Sequence, residues 1–242
     1  VSETLGEWRA LWRDSIGLRR VDGGSPVAAS VAGRPLLPAD AEWPLDGDGN
    51  PKQYLMAYDL AALPRIGIDL PDRGVLQFYI DTEYEDPTVL YFEDTTGLRL
   101  RDAPVDEGWD RIDLMAVAEP TWPGEDHPYL SGRPKDHYKA IRKALMDFDH
   151  PATPGQGDHR IGGYYAVSAQ GEFPCAPTSQ VPDLPGTPDA AAFGLPILLA
   201  RMDYDPDAGM PWGDCGTSEW TIGREDLAAR RFDRVEFSWS CY

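Results

Sequence analysis

The stretch Gly74-Val75-Leu76-Gln77-Phe78-Tyr79-Ile80, followed by Thr88-Val89-Leu90-Tyr91-Phe92-Glu93, decides the fold class. Both runs are rich in β-branched and aromatic residues and are short, as strands are. Between them Glu85-Asp86-Pro87 supplies a polar break with a proline, so the two runs are predicted to pair as an antiparallel hairpin. Working outward, Gln53-Tyr54-Leu55-Met56-Ala57-Tyr58-Asp59-Leu60 is apolar enough for a buried strand. Residues 112–119, 196–204, 218–222 and 234–240 read the same way, with shorter β-prone pieces at 26–31 and around Leu36-Leu37.

Helical periodicity is rarer. Leu5, Trp8, Leu11, Trp12 and Ile16 recur at three- and four-residue steps and predict an opening amphipathic helix, with Ser2 as its N-cap. Residues 134–148 predict a second helix: Pro134 suits the first turn, and Tyr138, Ile141, Leu145 and Phe148 make one stripe. A short third helix is expected at 224–230, and the Pro/Gly-rich stretches 149–160 and 171–194 read as long loops. The expectation is an α+β fold, predominantly antiparallel sheet with a few helices, filling one domain over 1–242.

The two halves echo each other. Ala32-Gly33, then Tyr54 through Asp59, then Gly74 to Phe78 is answered by Gly162-Gly163, then Ile197 through Asp203, then Gly216 to Trp220. Each half gives a glycine turn, an apolar strand ending in Asp, and a strand that starts at Gly and carries an aromatic four residues on. An internal duplication is therefore expected, with halves at about 26–119 and 159–242 joined by a helical and loop segment at about 120–158. The alternative is a chance recurrence of common strand patterns.

The chain has 242 residues, with 22 Lys+Arg against 41 Asp+Glu, a net charge of −19. That balance argues against a nucleic-acid interface, which needs a basic footprint on phosphate, and against docking to anionic lipid. No apolar run approaches the roughly 20 residues of a membrane-spanning helix. Cys175, Cys215 and Cys241 form no CxxC motif, and a reduced cytoplasmic setting is the simpler expectation. The chain begins at Val1, so a targeting segment removed before it stays an open alternative.

Several segments resemble, in order, the motifs of the YwqG-like family of bacterial proteins, a family without an agreed function. They include Gly33-Arg34-Pro35-Leu36-Leu37-Pro38, Glu42-Trp43-Pro44, Tyr58-Asp59-Leu60 and His159-Arg160-Ile161-Gly162-Gly163-Tyr164. Trp212-Gly213-Asp214-Cys215-Gly216 and Arg224-Glu225-Asp226-Leu227 continue the match, which runs from about residue 31 to the end. The chain departs from the pattern at Ala32-Gly33, where a glycine pair is expected, and at Tyr165, where a proline is expected. The resemblance implies an α+β fold rich in antiparallel strands, and it implies no catalytic residues.

Candidate binding residues follow from chemistry. Asp214, set between Gly213 and Cys215 beside Trp212, is either a ligand-contacting carboxylate against an aromatic wall or the acceptor of a tight turn. Asp59 and Asp203 hold equivalent places in the echo and either converge on one cation or substrate or cap two separate strand ends. Tyr164 and Tyr165 sit in a loop, where amphipathic rings make contact surfaces or fold back on the core. No metal is expected. Asp46, Asp48 and Asn50 start like a calcium loop, but Pro51 and Ala57 stand where that loop needs Gly and Glu, so a turn is the better reading. There is no HExxH, Gly-x-Ser-x-Gly, P-loop or dinucleotide fingerprint, so an enzyme is disfavoured and no cofactor is expected.

Three functions remain open, one of them a purely structural or stress-related bacterial domain with no small ligand. An acidic interaction module would take a basic protein partner, such as a toxin to be neutralised. A small-ligand or divalent-metal protein or enzyme would use Asp59, Asp203 and Asp214. Nothing in the pattern speaks to oligomeric state.

Overall fold

The structure is a computed structural model that describes residues 13–21, 24–105, 109–121, 159–164, 196–205, 207–210, 212 and 216–241. The strands are β1 (Arg13–Arg20), β2 (Ala29–Val31), β3 (Leu36–Leu37), β4 (Gln53–Asp59), β5 (Val75–Ile80) and β6 (Thr88–Phe92). They continue as β7 (Arg99–Leu100), β8 (Ile112–Thr121), β9 (His159–Gly162), β10 (Ile197–Asp203), β11 (Thr217–Ile222) and β12 (Glu236–Ser240). One α-helix is present among the described residues, α1 (Arg224–Ala228), with 3-10 turns at Leu60–Ala62 and Phe232–Arg234.

Ten strands make a single antiparallel sheet in the order β12-β11-β10-β9-β1-β8-β2-β4-β5-β6, and β3 pairs with β7 alone. The expected α+β class is thereby corrected: the described residues are essentially all-β, a large curled sheet with only short helical pieces among them. The opening helix is corrected at its described end. Ile16 lies in β1, opposite Ala118 of β8 and Ile161 of β9. Its neighbours explain why: the run Ile16-Gly17-Leu18 alternates, so Ile16 and Leu18 are fully buried while the glycine between them leaves space for Glu119 on the other face. Leu5, Trp8, Leu11 and Trp12, the second predicted helix, and the loop 171–194 lie outside the described residues. The expected helix at 224–230 appears as α1.

The predicted hairpin is present, with Phe78 opposite Val89 and Tyr79 opposite Thr88. Registers on the two sides of the sheet run in step. In β4–β5 Met56 faces Phe78 and Asp59 faces Val75, with a bulge between Tyr54 and Met56. In β10–β11 Ala200 faces Trp220 and Asp203 faces Thr217, with a bulge between Leu198 and Ala200. The edge pairs match as well: Phe78 lies opposite Val89, and Trp220 opposite Phe237. Strands β1 and β8 form the middle of the sheet, β8 pairing on with β2 and β1 with β9.

Curling brings the two wings into contact. Phe78 and Trp220, at matching places in β5 and β11, meet edge to face with ring centroids 5.3 Å apart. Tyr91 of β6 packs on Phe232, and Tyr84 packs on Trp239 of β12. The core holds Ile16, Leu18, Met56, Tyr58, Phe78, Ile161, Met202 and Trp220, all essentially inaccessible to water. Gly74, with φ 96°, lets the edge strand close in: a Cβ there would stand 2.3 Å from the carbonyl oxygen of Phe92. Gly216 does the same against Ser240, also at 2.3 Å.

Candidate functional site

The strands β2, β4 and β5 place small and polar residues on the face turned away from the core. Ser30, Ala57 and Val75 form the floor of an open groove of about 1030 Å³ there, with Tyr54 and Asp59 on β4 flanking it. Arg34, Arg73 and Arg111 line its rim together with Glu93 and Asp94. Alternation explains the placement, since Met56 and Tyr58 take the inward positions between these residues.

Each rim arginine is engaged by a carboxylate. Arg73 donates from Nε and Nη2 to Glu93 Oε1 at 3.1 and 2.6 Å, and Arg111 Nε lies 2.7 Å from Asp113. Arg34 is held more loosely, 3.4 Å from Asp102, with both side chains more than half exposed. By contrast, Asp59 and Asp94 form no salt bridge among the described residues, although Arg73 is close enough to Asp94 to act on its charge. Asp59 accepts from the Ala61 amide at 3.1 Å, capping the 3-10 turn, and Asp94 accepts from the Thr96 amide at 2.8 Å. Bonds from Thr96 hold the Asp94 carboxyl below the usual range. Burial pushes the Tyr54 hydroxyl up to about 12, against the opposing pull of Ser30 and Arg111, so it stays a neutral phenol.

A smaller cleft of about 350 Å³ adjoins this groove, sharing Arg34 and Tyr54 with it. Gln53, Lys52 and Trp109 line the cleft. Lys52 is buried and satisfied, 2.8 Å from Asp86 and 2.7 Å from the Thr88 hydroxyl. The buried Oε1 of Gln53 has no hydrogen-bond partner.

Asp59 and Asp203 are not brought together. Strands β4 and β10 are separated in the sheet by β9, β1, β8 and β2, and each aspartate serves its own strand end. Asp203 is buried, accepts from the Thr217 hydroxyl at 2.8 Å and pairs with Arg201 at 2.9 Å. Trp212 is a core residue, packed against Tyr84 and Phe237, and its carbonyl accepts from Gly216 at 2.8 Å. Tyr164 lies under Arg13, whose guanidinium carbon is 4.6 Å from the ring centroid. Asp214 and Tyr165 lie outside the described residues. The Asp46, Asp48 and Asn50 segment is a closed turn: the Asp46 carboxylate accepts from the Asp48 amide at 2.9 Å and the Asn50 amide at 2.8 Å. Its oxygens are thus committed to the chain. Among the described residues no three His, Cys, Asp or Glu side chains converge as a metal-ligand set.

One cluster was missed in the sequence. His159 at the start of β9 is 2% exposed, its Nε2 is 3.5 Å from Asp205 Oδ2, and neither ring nitrogen has a hydrogen-bond partner. Arg20 grips both oxygens of Asp205, at 2.7 and 2.9 Å, and the Asp207 and Ala208 amides add bonds. The adjacent His159 ring, then Arg20, hold the Asp205 carboxyl at about 2 despite burial. Only proximity of residues far apart in sequence reveals this group. The groove was also invisible beforehand, apart from Asp59, because Arg34, Arg73 and Arg111 come from unrelated turns.

The sequence profile of the family described as a domain of unknown function, DUF1963, matches residues 29–241. The chain therefore belongs to this family, which is the one linked to YwqG-like proteins. No curated protein matches the chain. Among the described residues no helix is long and apolar enough to cross a membrane.

Proposed function

We propose that the protein is an acidic binding module whose groove on β2, β4 and β5 receives a basic segment of a protein partner. The observation that carries this reading is the charge bookkeeping of the groove. Its three arginines are each paired with an acid, whereas Asp59 and Asp94 form no ion pair among the described residues. A net charge of −19 steers a cationic partner towards the molecule, and the groove supplies a place to dock. A basic toxin to be neutralised is one partner of this kind. The same reading places the protein in the cytoplasm, where the exposed, unpaired Cys241 stays reduced. It treats the two wings as an internal duplication whose copies have diverged, a view supported by the matched registers of β4–β5 and β10–β11.

Binding of a fluorescently labelled lysine hexapeptide amide, followed by anisotropy, tests the reading. Binding is expected to weaken with rising salt and to fall at least about fivefold in the Asp59→Asn, Asp94→Asn double variant. Neutralising Asp233 and Glu236, exposed acids away from the groove, is expected to change affinity less than twofold. Equal losses from both pairs of substitutions would mean diffuse attraction to an acidic surface and would overturn the groove as the docking site.

A further inference from the structure

Resting on the groove as a docking site for a basic segment, we infer that this segment is a C-terminal tail. Its terminal carboxylate is taken by Arg34 and Arg111 at one end of the groove, and an upstream lysine or arginine by Asp59 and Asp94 at the other. All four residues line the same groove. Tyr54, Ala57 and Asp59 share its face of β4, opposite Tyr79, Gln77 and Val75. Val75 in turn lies opposite Phe92, so Glu93 and Asp94 follow at the Asp59 end. The arginines stand at the Tyr54 end. Arg111 acts there on the Tyr54 hydroxyl, and a Cβ on Gly33 would lie 2.8 Å from the Arg111 Cβ, which places Arg34, the next residue, beside it.

These two arginines have donors to spare. Arg34 commits only Nη1, to Asp102 at 3.4 Å, and Arg111 only Nε, to Asp113 at 2.7 Å. Both side chains are about half exposed, so such pairs are weak and a ligand carboxylate exchanges into them at little cost, accepting from the guanidinium fork. Arg73, at the acid end, is instead closed off by two bonds to Glu93. Asp59 stands five positions on from Tyr54, which at roughly 3.3 Å per residue separates the two ends by about 16 Å, or about five extended residues. Beyond the arginine end the outer face of β5 is covered. The Leu36 amide donates to Gln77 Oε1 at 3.0 Å, its carbonyl accepts from Gln77 Nε2 at 2.8 Å, and Trp43 packs edge-on against Tyr79. A peptide laid along β4 and β5 therefore stops there, as a chain terminus does.

Anisotropy of N-terminally labelled lysine hexapeptides separates this recognition from diffuse attraction, because the two give opposite signs. The free acid carries one more negative charge than the amide, so a surface of net charge −19 acting diffusely holds it more weakly. The expected result is that the parent binds the free acid about threefold or more tightly than the amide, the scale of a partly exposed arginine–carboxylate pair. The Arg34→Gln, Arg111→Gln double variant, confirmed as folded by its melting temperature, is expected to lose that preference. The Asp59→Asn, Asp94→Asn variant is expected to weaken both peptides and keep it. Hexalysine followed by a glutamate amide has the charge of the free acid but carries its carboxylate on a side chain, and it is expected to bind no more tightly than the amide. A free acid that binds no more tightly than the amide overturns the inference. So does a preference that survives the arginine substitutions, or a glutamate peptide that matches the free acid. If the amide still depends on Asp59 and Asp94 in those cases, only the terminal carboxylate falls. If no peptide binds the parent at low salt, the groove reading falls with it.

Discussion

At the scale of single residues, the acids divide into buried ones that stabilise the fold and exposed ones, such as Asp59 and Asp94, that the fold does not pair with a cation. Asp205 belongs to the first kind. It holds Arg20 through both oxygens and ties down the amides of Asp207 and Ala208, so it fixes the turn that follows β10. Replacing it with Asn removes the charge-assisted bonds and leaves the guanidinium only its exposed pair with Asp207, at 3.0 Å. The expected loss is about 2 kcal/mol by urea denaturation at neutral pH, the range for hydrogen bonds to a charged group. The pH dependence has a definite sign. The folded carboxyl titrates at about 2, below its ordinary value of 3.8. Its contribution is therefore fully present above that ordinary value and disappears as pH falls towards 2. Stability of the parent is expected to decline more steeply than that of Asp205→Asn across this window. Parallel acid-titration curves would show that Asp205 contributes nothing through its charge.

At the scale of elements, β1 shows what local pattern misses. Leu5, Trp8, Leu11, Trp12 and Ile16 keep a helical interval, yet the segment Arg13–Arg20 is a strand in the middle of the sheet. Its partners are β8 and β9, about a hundred residues or more away, and it is their edges that make the extended form the lower free-energy choice for Ile16-Gly17-Leu18. The hairpin of β5 and β6 was legible because both partners and their turn lie within one short window. The central strand was not, because nothing near it announces its neighbours. If β1 is a strand with alternating faces, Leu18→Ala is expected to cost about 3 kcal/mol, since Leu18 is 1% exposed. Val117→Ala in the adjacent strand, where the side chain is 37% exposed, is expected to cost under about 1 kcal/mol. Chemical denaturation of both variants checks the contrast, and comparable losses would contradict it.

At the scale of the whole molecule, the wings of the sheet depend on each other. Phe78 and Trp220 occupy matching places and meet across the interior, so each completes the other's environment. A double-mutant cycle with Phe78→Leu and Trp220→Phe is expected to give a coupling of about 1 kcal/mol, the range for an edge-to-face aromatic pair. Additive losses would mean that the wings pack independently. The groove also belongs to this scale. Arg34 follows β2, Arg73 precedes β5 and Arg111 precedes β8, and only the pairing of β8, β2, β4 and β5 side by side sets them around one floor.

The sequence by itself determined the strands that carry their own alternation, the hairpin, the glycines that admit the edge strands, the family, and the acidic charge. Those features depend on residue chemistry and on neighbours a few positions away. Tertiary structure alone decided that Ile16 extends rather than coils, that Asp59 and Asp203 stay apart, and that His159 comes to rest beside Asp205. It also decided that Gln53 is left with a buried, unpaired oxygen. The reason is common to all four: each depends on pairing between strands distant along the chain, and a period of two or of 3.6 residues carries no record of which strand will lie alongside.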